Sequence, residues 1–459
     1  MTEPKPAAAT LPAVADVIGA LTGIAAGDQL DRVRDRRPES KEHAQGSFNA
    51  LFVPVDTAHV SLPERAAVAL FVARLHEEPE AVEFYGALLR ETGGGAGLEP
   101  LIVAEAGRAA GSGPYGAFRA ENASESVAGP EYTVASVEAA YALGDRLAAA
   151  LEHAHMLVLH PRDASRERLQ PLLDAGWSTT GVVTLSQLVS FLAFQLRVAH
   201  GLRELRESIG GAASAATAVA DVTAVSAATR DSLEALAATV ARAARERVGE
   251  EGAAAAASAP SVTEQLPAAP RVTEPPRFTQ DVLGWKPWLE PLPVAEFTES
   301  HYDALVQRDR VHMPYFRLLA RDPEALRERT LTDIDIFFNT DAGLPRAERE
   351  LAAAAASRYN GCVFCASVHS RFATEQGADR AEVQRLLDEG VTARVGTRID
   401  AIVDATVALT ATPPRFGQAE LATLREVGLD ELELLDSIQA GAFFNWANRL
   451  MLSIGEPSL

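Results

Sequence analysis

Leu344-Pro-Arg-Ala-Glu-Arg-Glu350-Leu-Ala-Ala-Ala-Ala-Ala-Ser-Arg-Tyr-Asn-Gly361-Cys362-Val-Phe-Cys365-Ala-Ser-Val-His369 reads as one helix, a stop, and the start of a second helix. Pro345 suits a first helical turn, and the Ala, Glu and Arg that follow carry high helix propensity. Asn360-Gly361 is a C-terminal stop signal. The next helix should run from about 362 to 376 and close at Gly377. Apolar-periodic stretches follow near 381–389, 396–411, 418–426 and 431–453, with Pro413-Pro414 as a breaker, and no run alternates like a strand. The fold class expected is all-α.

Working outward, 459 residues exceed what one hydrophobic core usually organises, so two folded units are expected. A formal charge of −21 and a pI near 5.0 argue against nucleic acid, which needs a surplus of Lys and Arg on one face, and against anionic membrane surfaces. No stretch approaches the roughly 20 uninterrupted apolar residues of a membrane span. Met1-Thr-Glu-Pro-Lys-Pro lacks the layout of a signal peptide, so a cytoplasmic location is expected. There are two cysteines, Cys362 and Cys365; an isolated C-x-x-C in a reducing compartment points to redox chemistry or a metal, not to structural disulfides.

Self-comparison shows an internal repeat. Leu143-Gly-Asp-Arg-Leu pairs with Val395-Gly-Thr-Arg-Ile, Pro161 with Pro413, Ala175-Gly176 with Val427-Gly428 and Arg197 with Arg449, all at one offset of 252 (395 minus 143). Upstream, Leu62-Pro-Glu-Arg resembles Leu344-Pro-Arg-Ala-Glu-Arg, and Arg74 stands opposite Arg358 at an offset of 284 (358 minus 74). The 32 residues of difference fall in the Gly-rich and polar stretch from Thr92 to Tyr132. Between the copies, residues 206–275 are rich in Ala and Pro and hold one plausible helix with Leu233, Leu236 and Val240 on a face. The division expected is an N-terminal arm over 1–44, a first unit over 45–205, a partly helical and partly disordered linker over 206–275, and a second unit over 276–459.

On a helix, positions i, i+3 and i+7 share a face, so Cys362, Cys365 and His369 should project together. The two thiols are then near enough for a disulfide, and a helix start favours a thiolate. His369 can take or relay the thiol proton. If Asn360-Gly361 folds the two helices into a hairpin, the Glu350 carboxylate could orient that imidazole. On helix-end electrostatics alone, Cys362 would be the attacking thiol. The competing chemistry is a structural zinc, for which Cys362, Cys365 and His369 give three ligands and only His312 or Glu350 offers a fourth.

Glu350, twelve residues before Cys362, followed by C-x-x-C-x-x-x-H within Ser357-Arg-Tyr-Asn-Gly-Cys-Val-Phe-Cys-Ala-Ser-Val-His-Ser, resembles the alkylhydroperoxidase D (AhpD-like) branch of the carboxymuconolactone decarboxylase superfamily. The leader Asp281-Val-Leu-Gly-Trp-Lys-Pro-Trp-Leu is similar to that of its peroxidase-related members. The resemblance covers about 276–459, and 45–205 resembles a decayed second copy without cysteines. It implies two tandem helical domains and a cofactor-free thiol peroxidase. Cys365 would attack an organic peroxide or hydrogen peroxide, and Cys362 would resolve the product as a disulfide. It further implies a dithiol reductant such as a dihydrolipoyl protein, and a homo-oligomer, trimeric or pseudo-hexameric. Phe364 departs from the pattern, because the best-known members carry a His between the cysteines. The other readings are a thiol-disulfide oxidoreductase, a non-enzymatic redox sensor or binding protein, and a lactone decarboxylase, which needs no cysteine.

At the 284 offset the first copy places Glu78, Ala81 and Tyr85 where the second has Cys362, Cys365 and His369. Its His76-Glu77-Glu78-Pro79-Glu80 cluster reads as a solvated turn, the alternative being an acid-base site such as the decarboxylase branch uses. Arg197 and Arg449 read as ion-pair or carbonyl-capping residues, and Trp285 and Trp288 as packing anchors of the leader. Gly111-Ser-Gly-Pro-Tyr-Gly follows no strand, which excludes a dinucleotide loop.

Overall fold

The computed structural model describes residues 16–134, 136–209, 225–255 and 262–459. The start of the expected arm and the segments 210–224 and 256–261 of the expected linker lie outside the described residues. The chain is all-α, as read. The first repeat contains α1 (Pro38–Phe52), α2 (Leu62–Leu75), α3 (Pro79–Glu91), α4 (Val137–Leu159) and α5 (Thr179–Ile209). After α6 (Ala227–Ala255), the second repeat contains α7 (Pro323–Phe338), α8 (Arg346–Asn360), α9 (Val363–Glu375), α10 (Thr397–Thr410) and α11 (Glu431–Ile454).

Interactions recur at both offsets. Arg65 on α2 donates to the carbonyls of Leu51 and Val60, and Arg349 on α8 donates to those of Ile336 and Leu344. Glu64 pairs with Arg146 at 3.0 Å, and Glu348 with Arg398 at 2.9 Å. Gly176 and Gly428 take left-handed turns at φ 88 and 92 before the long helices α5 and α11.

Counterpart helices pack on each other, α5 against α11 and α1 against α7. Self-pairing of this kind is what a two-fold relation produces. Arg197 crosses from α5 to the end of α10, donating to the carbonyls of Leu409, Thr410 and Ala411 and to Thr412 Oγ1 at 2.6–3.2 Å. Arg449 crosses the other way, from α11 to the Val158 carbonyl at the end of α4, at 3.1 Å. Both guanidinium groups are fully buried, and each satisfies helix-end carbonyls of the opposite repeat. Phe191 and Phe194 of α5 meet Trp446 of α11 at ring separations of 5.2 and 5.5 Å.

This packing corrects the expected layout. One continuous apolar core runs through both repeats, so they are not two domains joined by a tether. The arm is part of that core: Val17, Ile18, Leu21 and Leu30 are buried, and α1 runs straight through the expected boundary at 44/45. Within the linker, α6 packs on α3 with Leu233, Ala237 and Val240 buried. Residues 262–275 lie outside helix and strand and are held to the body by Val262 N–H on the Gly176 carbonyl and Leu459 N–H on the Thr273 carbonyl. By length and composition α5 could cross a membrane, but its apolar window is wholly buried in protein.

Strand structure was not expected, yet Gly284–Pro287 pairs antiparallel with Gly455–Ser458, setting Trp285 opposite Pro457. Strands of four residues built with Gly and Pro carry no alternation to read. This ribbon lashes the leader to the end of α11.

Two predictions follow from the core. Arg197→Leu removes charge-assisted bonds to buried carbonyls and should lower unfolding stability by about 3 kcal/mol in a denaturant titration; a loss below about 1 kcal/mol would contradict the capping role. His153 and His155 are buried in the first repeat, and burial holds both down to about 4. The unfolded chain therefore binds more protons between pH 6.5 and 4. Stability should be fully present above that window and decline as pH falls through it, by up to about 1.4 kcal/mol per pH unit for each imidazole. A flat melting temperature from pH 7 to 4.5 would count against it.

Candidate active site

The consecutive small side chains Ala352 to Ala356 are buried all round α8, which lets α9 and α11 lie close to it. The helix ends at Gly361, whose φ of 82 is left-handed, and a Cβ there would come within 2.7 Å of Arg162 Cγ. Arg162 of the first repeat donates through Nη2 to the Tyr359 carbonyl at 2.6 Å, closing the last turn of α8. The chain reverses, and Cys362 caps the start of α9 with extended backbone. The hairpin expected at Asn360-Gly361 is therefore present.

It brings Glu350 Oε2 to 2.6 Å from His369 Nδ1. The carboxylate is 1% exposed and also accepts from Arg346 Nε at 3.1 Å. Rings surround the imidazole, the nearest being Phe444 at 4.1 Å and Phe337 at 5.6 Å. A buried acid on one ring nitrogen fixes which nitrogen faces away.

Cys362 and Cys365 are both buried free thiols within hydrogen-bonding reach of each other. They do not project alike. Cys365 and His369 line a cavity of about 380 Å³. Cys362, at the cap and not on the helix, faces a narrow crevice beneath Trp285 and the strand pair. The expected thiolate also fails at Cys365: burial first, and then the Cys362 thiol, hold its pKa well above the usual range. A hydrogen bond from Asn448 and the charge of Arg329 act in the opposite sense, and burial outweighs both. The resting Cys365 thiol is protonated. Among the described residues no group of three or more His, Cys, Asp or Glu side chains is arranged to hold a metal ion.

Several groups around the thiols were missed in the sequence. Asn360, Asn445 and Asn448 form a buried amide cluster behind the cysteines, Asn360 Nδ2 donating to Asn448 Oδ1 at 3.0 Å and Asn448 Nδ2 to Ser357 Oγ at 2.9 Å. Their one signal was two Asn three apart in the apolar run of α11. Tyr315, Arg329 and Asp333 reach the cavity from other elements, and His312 stands exposed among its lining residues. Trp285 is more than a packing anchor, since it walls both the cavity and the crevice.

The matching place in the first repeat carries different chemistry. Glu78 caps α3 as Cys362 caps α9, and its buried carboxylate takes His200 Nδ1 at 2.8 Å and Arg203. Tyr85, in the position of His369, hydrogen-bonds Gln195. His76 and Glu78 are 1% and 3% exposed, which corrects the reading of this cluster as a solvated turn.

Residues 323–408 match the model of the Carboxymuconolactone decarboxylase family. The matched segment runs from α7 into α10 and carries Glu350, Cys362, Cys365 and His369, which supports that superfamily for the second repeat. No curated protein and no solved structure matches the chain.

With its thiol raised and buried, Cys365 should alkylate with iodoacetamide at least about tenfold more slowly than free cysteine at pH 7.5, accelerating as pH rises beyond 9. Fragment mass spectrometry separates it from Cys362. Alkylation at the rate of free cysteine would show that burial does not govern this thiol.

Proposed function

We propose that this chain is a thiol peroxidase working through Cys365, with Cys362 as the resolving thiol. The observation that carries the reading is that Cys365 alone of the two thiols opens into the cavity that also holds His369, while Cys362 lies behind it within hydrogen-bonding reach. His369, held by Glu350, takes the Cys365 proton as a peroxide enters. The thiolate attacks the nearer peroxide oxygen and the O–O bond breaks. The alkoxide leaves with the proton from the imidazolium, giving an alcohol and a Cys365 sulfenic acid. The Cys362 sulfur then displaces hydroxide from that sulfenic acid, the proton of its thiol completing a water molecule, and a disulfide remains. A dithiol reductant, in this reading a dihydrolipoyl group on a partner protein, restores both thiols and leaves as its own disulfide.

This order of events explains why a raised thiol suits the site. A proton that leaves only when a base and an oxidant are both present protects Cys365 from idle oxidation. Phe364 lines the cavity where a His between the cysteines would add a second proton donor, so the relay rests on His369 alone. A decarboxylase would have no use for the dithiol, and a mere sensor would have no use for the His369–Glu350 pair.

Stopped-flow mixing of reduced protein with cumene hydroperoxide should consume two thiols per peroxide. Cys365→Ser should abolish consumption, while Cys362→Ser should give one turnover and a sulfenic acid that dimedone traps. Glu350→Gln should slow the first step by about a hundredfold. Equal turnover in the two cysteine variants would sink this assignment, and disulfide exchange without peroxide consumption would favour a thiol-disulfide oxidoreductase.

A further inference from the structure

The cavity beside Cys365 is larger than its proposed oxidation step requires. At about 380 Å³ it falls in the range of about 300–1,000 Å³ that encloses organic ligands, whereas a molecule the size of water takes about 30 Å³. Its walls are mostly apolar, with Trp285, Phe316, Phe364, Phe443 and Phe444 among them. An oxidant with a hydrocarbon body fits such a space, and hydrogen peroxide leaves it unfilled.

Two buried donors in these walls are unused. Arg329, on α7, is 6% exposed, and among the described residues it makes no ion pair. Its guanidinium lies over Phe443 at 5.2 Å and Trp446 at 5.8 Å, and its Nε is buried with no hydrogen-bond partner. A buried cation without a counter-ion is costly, and ring faces compensate only part of that cost. Asp333, one turn along α7, shares the cavity but stands outside ion-pair reach, and burial raises its carboxyl towards the neutral form. Tyr315 has a buried hydroxyl that also lacks a partner; burial pushes it up to about 12, so it remains a donor at neutral pH. A guanidinium and a phenol, both desolvated and both free to donate in one apolar cavity, form a receptor for an oxyanion.

We propose that the oxidant reduced at Cys365 is an organic hydroperoxide bearing its own carboxylate, with the apolar body in the cavity and the carboxylate on Arg329. This rests on the peroxidase reading and deepens it. The bonds made and broken at Cys365 are those given above, and the carboxylate is a spectator that supplies binding and orientation. The net charge of −21 would repel an acid at long range, so recognition depends on this enclosed cation, not on steering.

The test uses the full reduced chain and a matched pair of oxidants, cumene hydroperoxide with a para-carboxylate and the methyl ester of the same compound. The wild type should lose its thiols at least about tenfold faster with the acid, a factor that one desolvated charge pair readily supplies. Arg329→Met should bring the two rates to within about twofold, and Arg329→Lys should retain part of the preference. Equal rates in the wild type would overturn the proposal without need of a variant. So would an Arg329→Met protein that slows acid and ester alike, because that pattern belongs to a guanidinium serving the thiolate. If neither oxidant consumes thiols, the peroxidase reading fails separately, and calorimetry with 4-isopropylbenzoate and its methyl ester then tests the Arg329 site alone. At least about tenfold tighter binding of the acid supports the site, and equal binding overturns it.

Discussion

Everything in this molecule hangs on the crossing of α5 and α11. Each helix sends a buried arginine to the exposed carbonyl end of a helix in the opposite repeat, Arg197 to α10 and Arg449 to α4. Helix ends leave four carbonyls unpaired, and inside a core those groups cannot turn to water. Neither repeat satisfies these ends by itself. The arginines therefore make the halves mutually dependent, and the aromatic seam of Phe191, Phe194 and Trp446 fills the space between them.

The thiol site inherits its geometry from that crossing. The helix that carries Arg449 also presents Phe443 and Phe444 to the cavity and Asn445 and Asn448 to the rear of the cysteines. Arg162 of the first repeat closes the last turn of α8 at the Tyr359 carbonyl, two residues before the glycine that precedes Cys362. The first repeat has no cysteine, yet it holds the second one's hairpin in place. In return its own cap position is filled by an ion-pair cluster of Glu78, His200 and Arg203.

What could be read from residues alone was whatever depends on neighbours along the chain. The spacing of Glu350, Cys362, Cys365 and His369 is a local property of a helical hairpin, and so is the stop at Asn360-Gly361. The repeat was visible because its offsets survive in Gly176, Gly428 and the paired arginines. Features set by distant partners were hidden. Arg329 and Tyr315 reach the cavity from elements whose sequence gives no reason to aim there. The protonated state of Cys365 depends on burial by helices far off in sequence, against the Asn448 amide and the Arg329 charge, which pull the other way. Glu78 sits in a string of charges that looks solvated until His200 and Arg203 enclose it. The Ala- and Pro-rich stretch reads as a tether because composition reports cohesion within a segment, not its attachment to a surface such as that of α3.

The capping positions of α3 and α9 carry one further implication. A two-fold pair of identical subunits presents every surface twice, and a visiting protein then meets two equivalent docking places. Here the related positions hold a carboxylate with its cations on one side and a dithiol on the other. The two halves pack as a two-fold pair does, yet they are not equivalent at this position. Any macromolecule that recognises the dithiol face has one address per chain, so its stoichiometry is one to one and no crosstalk can arise between twin sites within a single chain.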